Sequence, residues 1–214
     1  ETQDTDFTWE EFVRRNNDEL LANWGNLVNR TLVNAHRNFG EVPVRGELTE
    51  RDRAVLDGVA SGFAEVGALI EQTRFRAAVQ AAMKWSSFTN QYLADEAPWT
   101  VVKTDRDRAA TVLNVALTCV DSLKTLLAPF LPFSSQAVHE LLGYEGELAG
   151  PLRFAEVTEE NGPPHRVLTG DYEHGAGSWG PSEPPAGQKL PEPRPLFRKL
   201  PPETAAEELA RLGL

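Results

Sequence analysis

Asn26 and Arg30 stand four residues apart, so on a helix their side chains are surface neighbours. Asparagine offers a paired donor and acceptor, and arginine a rigid planar fork of donors. Together they suit flat, polar edges such as those of nucleobases. On a wheel turning about 100° per residue, Asn23 and Arg37 share their polar side, while Leu20, Trp24, Leu27, Val28, Thr31, Leu32 and Ala35 form a broad, mostly apolar face. An ordinary solvated helix face would look the same. Trp99, directly after Pro98, is the other candidate. An indole just beyond a helix end is a stacking platform worth ~1–3 kcal/mol per base, or else a core ring that plugs the end of a bundle.

The elements that must position these residues are helical. Thr8 with Glu11 three on forms a capping-box pattern with Phe7 as staple. The helix it predicts spans 8–39, with Asn16-Asn17-Asp18 as a place where side chains compete for the backbone. Gly40 and Pro43 end it. Thr49 predicts the cap of a second helix over Glu50–Glu71. Its Gly58, Gly62 and Gly67 cost about 1 kcal/mol each against alanine, and they permit close approach by a neighbour. Thr73 is the predicted opening of a third helix, which Pro98 stops, leaving Trp99 in a turn. Asp105 begins a fourth, with Val112, Val115, Ala116, Cys119, Leu123 and Leu126 as its apolar stripe. A short helix follows Pro132 over 134–142.

Residues 1–143 therefore read as an all-α antiparallel bundle of four long helices plus short ones. Eleven of the fifteen prolines lie beyond Gly150, so residues 144–214 read as a Pro/Gly-rich C-terminal extension of loops and extended segments. It lacks the hydrophobic periodicity for a core of its own. Leu196 and Phe197 are its expected anchor on the bundle, and 204–212, capped by Thr204, its last helix.

Composition bounds the function. A net charge of −11 over 214 residues argues against a non-specific nucleic-acid binder, which needs a broad basic face, but leaves room for a small, specific contact surface. No run of eighteen apolar residues predicts a membrane span, and no leader is visible. A first residue other than Met suggests a fragment or processed chain. The single Cys119 excludes an internal disulfide, suits a reducing compartment and fits an inert core position. His36 and His139 fall on helices. His165 and His174, near Asp171 and Glu173, lack the constrained spacing of a metal site. Arg14, Arg15, Arg74, Arg76 and Lys84 are open to phosphate contacts or are plain surface charge.

Motif order is more specific than any motif alone. Gly25-Asn26-Leu27-Val28-Asn29-Arg30 is followed by Asn90-Gln91-Tyr92, then Glu96-Ala97-Pro98-Trp99, then Leu126-Leu127-Ala128-Pro129-Phe130-Leu131-Pro132. In this order the chain resembles the anticodon-binding domain of bacterial methionyl-tRNA synthetases. Asn38-Phe39-Gly40-Glu41-Val42-Pro43 resembles the turn after that family's first anticodon-domain helix, and Pro195-Leu196-Phe197-Arg198-Lys199 the linker back towards its catalytic core. The resemblance covers nearly the whole chain.

The resemblance implies a helical bundle of the class I aminoacyl-tRNA synthetase type that recognises the CAU anticodon of methionine tRNAs. The family's base-reading pair falls on Asn26 and Arg30 and its stacking ring on Trp99. Asn90 is expected to position the Trp99 turn, with Asn23 as a further supporting residue. Stacking tolerates any base, so discrimination falls to Asn26 and Arg30. The family's catalytic signatures, His-x-Gly-His and Lys-Met-Ser-Lys-Ser, do not occur. The resemblance thus implies no catalytic residue, metal or cofactor in this chain, and places ATP in a separate N-terminal catalytic domain. The implied partners are the anticodon loop of tRNA(Met) and that domain, in a cytoplasmic, monomeric enzyme. The competing readings are the anticodon domain of a valine, leucine, isoleucine or cysteine synthetase, and a helical protein-interaction module.

Overall fold

The computed structural model describes residues 6–150, 152–159, 162–170 and 178–213. His174, Asp171 and Glu173 lie outside them. The long first helix forms in three pieces. Helix α1 (Trp9–Arg15) starts at Thr8, whose hydroxyl accepts the Glu11 amide. It passes at the asparagine cluster into a π-helix, Asn16–Gly25, and then into α2 (Asn26–Phe39), which ends on left-handed Gly40. A π-helix bonds i to i+5 and turns less per residue than an α-helix. A uniform wheel therefore misplaces the residues within it.

Helix α3 (Glu50–Glu71) begins in a reciprocal capping box: Thr49 accepts from the Asp52 amide, and the Asp52 carboxylate accepts from the Thr49 amide. Helix α4 covers Phe75–Glu96. Thr73 does not cap it; that residue takes a left-handed φ of 57° and spends its hydroxyl on the Gln72 carbonyl. Gly58 and Gly62 receive the Trp85 ring of α4, which would stand 2.4 and 2.9 Å from a β-carbon at the two positions. The close approach permitted by these glycines is thus made by an indole.

Trp99 lies in a one-turn helix, α5 (Pro98–Val101), with proline at its start, and not in an irregular turn. Proline fixes φ near the helical value and needs no amide partner in a first turn. Helix α6 (Arg106–Leu127), capped by Asp105, is buried along nearly its whole length. Its most apolar window is 89% buried inside the fold, as suits the central rod of a bundle. Cys119 lies on it, buried, with burial pushing its thiol up to about 12. Helix α7 (Pro132–Leu141) follows.

The extension contains one element that the sequence reading missed. Strands β1 (Leu152–Val157) and β2 (His165–Gly170) pair antiparallel, with Phe154 opposite Leu168. Phe154 stays 60% exposed. Further on, residues 178–200 run back along the helices. Trp179 donates to the Phe63 carbonyl at 3.1 Å, and the Val42 amide donates to the Gln188 carbonyl at 2.8 Å. The Phe197 ring lies 3.0 Å from where a Gly25 β-carbon would sit. Helix α8 (Glu203–Arg211) packs on α1. Thr204 is inside it, and its cap position, Pro202, makes no side-chain bond.

Two buried groups tie stability to pH. Burial, aided by the nearby Lys124 charge, lowers the His139 pKa from its usual value. His139 is 3% exposed and stacks on Tyr144 at 4.8 Å. The unfolded chain then binds the proton more readily. The stability held by neutral His139 is present above about pH 6.5 and is lost as pH falls from there through its lowered folded value. Burial alone would raise Asp52, but its hydrogen bonds from Arg108 and Tyr92 override that and hold the carboxyl far below its usual value. Its contribution is full above about pH 4 and is lost only in stronger acid. Urea-unfolding midpoints should therefore drop between about pH 7.5 and about pH 5, and His139→Gln should flatten the histidine's share of that drop.

Candidate nucleic-acid interface

Asn26 opens α2 immediately after the π-helix, and its side chain is exposed. One turn on, the Arg30 guanidinium lies over the Trp99 indole, 4.7 Å from the ring centroid. Arg30 carries no ion pair among the described residues. Residues from two distant parts of the sequence thus meet, and Trp99 is half-buried, with one side packed on the core cluster. A flat cation on an aromatic face and an amide one turn away form a surface able to stack a base and bond to its edge.

Asn23 is not on that surface. Its amide nitrogen donates to the Ser87 hydroxyl at 2.8 Å and the Met83 carbonyl at 3.2 Å. Its side-chain oxygen accepts from the Ser86 hydroxyl at 2.9 Å and from Asn90 at 3.2 Å. The π-helix turns this side chain into α4, away from the solvated side where the uniform wheel put it. Asn90 also donates to the Asn23 carbonyl, at 3.0 Å. Its amide therefore ties α4 to the π-helix and does not reach the Trp99 turn, contrary to the sequence expectation. The two asparagines form a clamp between α4 and the π-helix that leads into Asn26.

Two residues of the network that reaches the Trp99 turn, Arg108 and Asp52, went unnoticed in the sequence. Arg108 on α6 donates from Nη2 to Glu96 at 2.7 Å, and Glu96 is the last residue of α4. Arg108 also forks onto the buried Asp52 carboxylate at 2.6 and 2.9 Å. The Tyr92 hydroxyl donates to the same carboxylate at 2.6 Å. Tyr92 and Glu96 stood in the quoted motifs and Asp52 at the third position of a capping box, but a partner 56 residues away leaves no local trace.

Among the other cations, Arg14 and Arg15 pair with Glu11 at 2.7 Å each, and Lys84 lies over the Trp85 ring at 5.2 Å. His36 Nδ1 meets the Leu190 carbonyl at 3.0 Å. No group of three or more His, Cys, Asp and Glu able to hold a metal occurs among the described residues.

The class of this long-helix bundle, a tRNA-anticodon domain, is given by comparison with known proteins. Residues 42–159 match the family model described as the anticodon binding domain of methionyl tRNA ligase, and residues 1–32 match that of class I (M) tRNA synthetases. The chain belongs to the methionyl-tRNA ligase anticodon-binding domain family. It is 58% identical over 212 residues to a methionine–tRNA ligase of Chloroflexus aggregans, covering 99% of this chain and 35% of that protein. A Thermobifida fusca methionine–tRNA ligase is 50% identical over 217 residues, covering 99% of this chain and 36% of that protein. The chain thus spans about a third of the length of these relatives. In fold it is similar to the apo Mycobacterium tuberculosis methionyl-tRNA synthetase, with a TM-score of 0.74 and 23% identity over 93% of this chain and 36% of that one.

Proposed function

We propose that this domain reads the CAU anticodon loop of methionine tRNAs, with Asn26 and Arg30 selecting the base and Trp99 stacking it. The observation that carries the reading is the seat of the Arg30 guanidinium on the Trp99 ring, with the exposed Asn26 one turn away. An incoming base would draw the guanidinium from the ring to its own polar edge. That exchanges a cation–π contact of about 0.5–2 kcal/mol for charge-assisted hydrogen bonds. Asn23 and Asn90 serve as a brace that fixes where α2 begins. In the intact enzyme the partner domain, in the same polypeptide, would carry ATP and methionine chemistry; the reading includes a cytoplasmic, monomeric enzyme. Division into a bundle through residue 143 and an extension after it belongs to the same proposal.

The sequence relatives are methionine–tRNA ligases, which favours CAU over the anticodons of the related synthetases. Competition between stem-loops differing only in the first anticodon base tests this. The CAU loop should win by about ten-fold or more, the worth of one placed hydrogen-bonding group. Equal competition by all four loops would remove the reading.

A further inference from the structure

We infer that Arg108, through Glu96, is a positioning residue that sets the Trp99 ring in its RNA-competent place; this rests on the reading just proposed. The backbone between α4 and α5 turns on Ala97, which is left-handed at φ 41° and ψ 55°. That conformation is unfavourable for a residue with a β-carbon and persists only where its surroundings hold it. On its C-terminal side the turn is held by Pro98, buried, and by packing of α5 on α6. On its N-terminal side it is held by Glu96, whose carboxylate accepts from Arg108.

Arg108 is itself fixed. Asp52 on α3 is wholly buried and takes both arms of the fork, and Tyr92 on α4 and the Thr49 amide occupy the remaining lone pairs. A buried carboxylate so fully satisfied stays ionised and keeps a rigid cation at its side. One guanidinium therefore joins α3, α4 and α6 at the point where α4 hands the chain to Trp99. Nearer the surface, Arg51 pairs with Asp95 and stands 3.8 Å from Glu96. Without the Arg108–Glu96 link, Ala97 can relax to a commoner conformation, and the indole two residues on leaves the Arg30 guanidinium.

Glu96→Ala is the chief test, because it leaves the Asp52–Arg108–Tyr92 core in place and so spares the fold; Arg108→Met is the second variant. Two readouts are taken on the 214-residue chain. One is affinity for a CAU stem-loop. The other is the fluorine NMR signal of Trp99 in protein labelled with fluorotryptophan, assigned by its loss in Trp99→Phe. Glu96→Ala should shift or broaden the Trp99 signal and weaken binding about ten-fold, the effect of displacing one stacking group. Glu96→Gln, which still accepts from Arg108, should restore both. An unmoved Trp99 signal in Glu96→Ala and in Arg108→Met overturns the proposal, as does a shifted signal with unchanged binding where Trp99→Ala abolishes binding. If Trp99→Ala itself leaves binding intact, the RNA reading has failed, and the clamp stands or falls on the resonance alone.

Discussion

Arg30→Ala is expected to weaken binding of a CAU stem-loop by about ten- to a hundred-fold, the ~1–3 kcal/mol of a lost charged hydrogen-bonding group. The change also bares the Trp99 ring, which the guanidinium covers at 4.7 Å. Two features of the loss separate base reading from plain charge. The preference for CAU over loops with another first base should shrink, because stacking alone accepts any base. The dependence of log affinity on log salt should stay near that of the unmodified protein, because that slope counts neutralised phosphates. An arginine that only meets phosphate would do the reverse, lowering the slope and leaving the preference intact. Trp99→Ala should complement this pattern by lowering affinity for every loop with little change in their ranking.

Trp24→Ala should destabilise the fold by about 3–5 kcal/mol, a large part of the ~5–15 kcal/mol that holds a typical domain together. Trp24 has no exposed surface and lies in the core cluster with Leu27, Val28 and Leu32. Its indole N–H is buried with no hydrogen-bond partner among the described residues. Such an orphan costs about 1–3 kcal/mol. Trp24→Phe removes it along with some volume, so the two effects oppose each other, and the net cost should stay under about 1.5 kcal/mol. Urea unfolding followed by helical circular dichroism measures both. Equal losses for the two variants would mean that the N–H, which both remove, makes a bond that outweighs the lost volume.

Much of the helical frame was legible because its signals are local. Thr8, Thr49 and Asp105 cap as their residue types direct, and Gly40 takes the left-handed position that glycine favours. The errors have separate causes. Thr73 and Thr204 carry capping side chains but sit where the backbone does not ask for a cap. The strands at 152–157 and 165–170 pair with each other, and Phe154 and Val157 stay exposed, so the alternation that marks a half-buried strand is weak there. Asn23 was misplaced because a π-helix breaks the phase that connects it to Asn26.

The amino-acid order alone determined which segments coil, where most of them stop, and that Asn26 and Arg30 share one side of a rod. It did so because caps, prolines and apolar spacing act within a turn or two of backbone. Only the tertiary structure decided that Arg30 covers Trp99, that Asn23 and Asn90 face each other instead of the solvent, and that Arg108 holds the last residue of α4. Those contacts join residues twelve to sixty-nine positions apart, and their energy depends on how helices dock, a choice no short window of sequence contains.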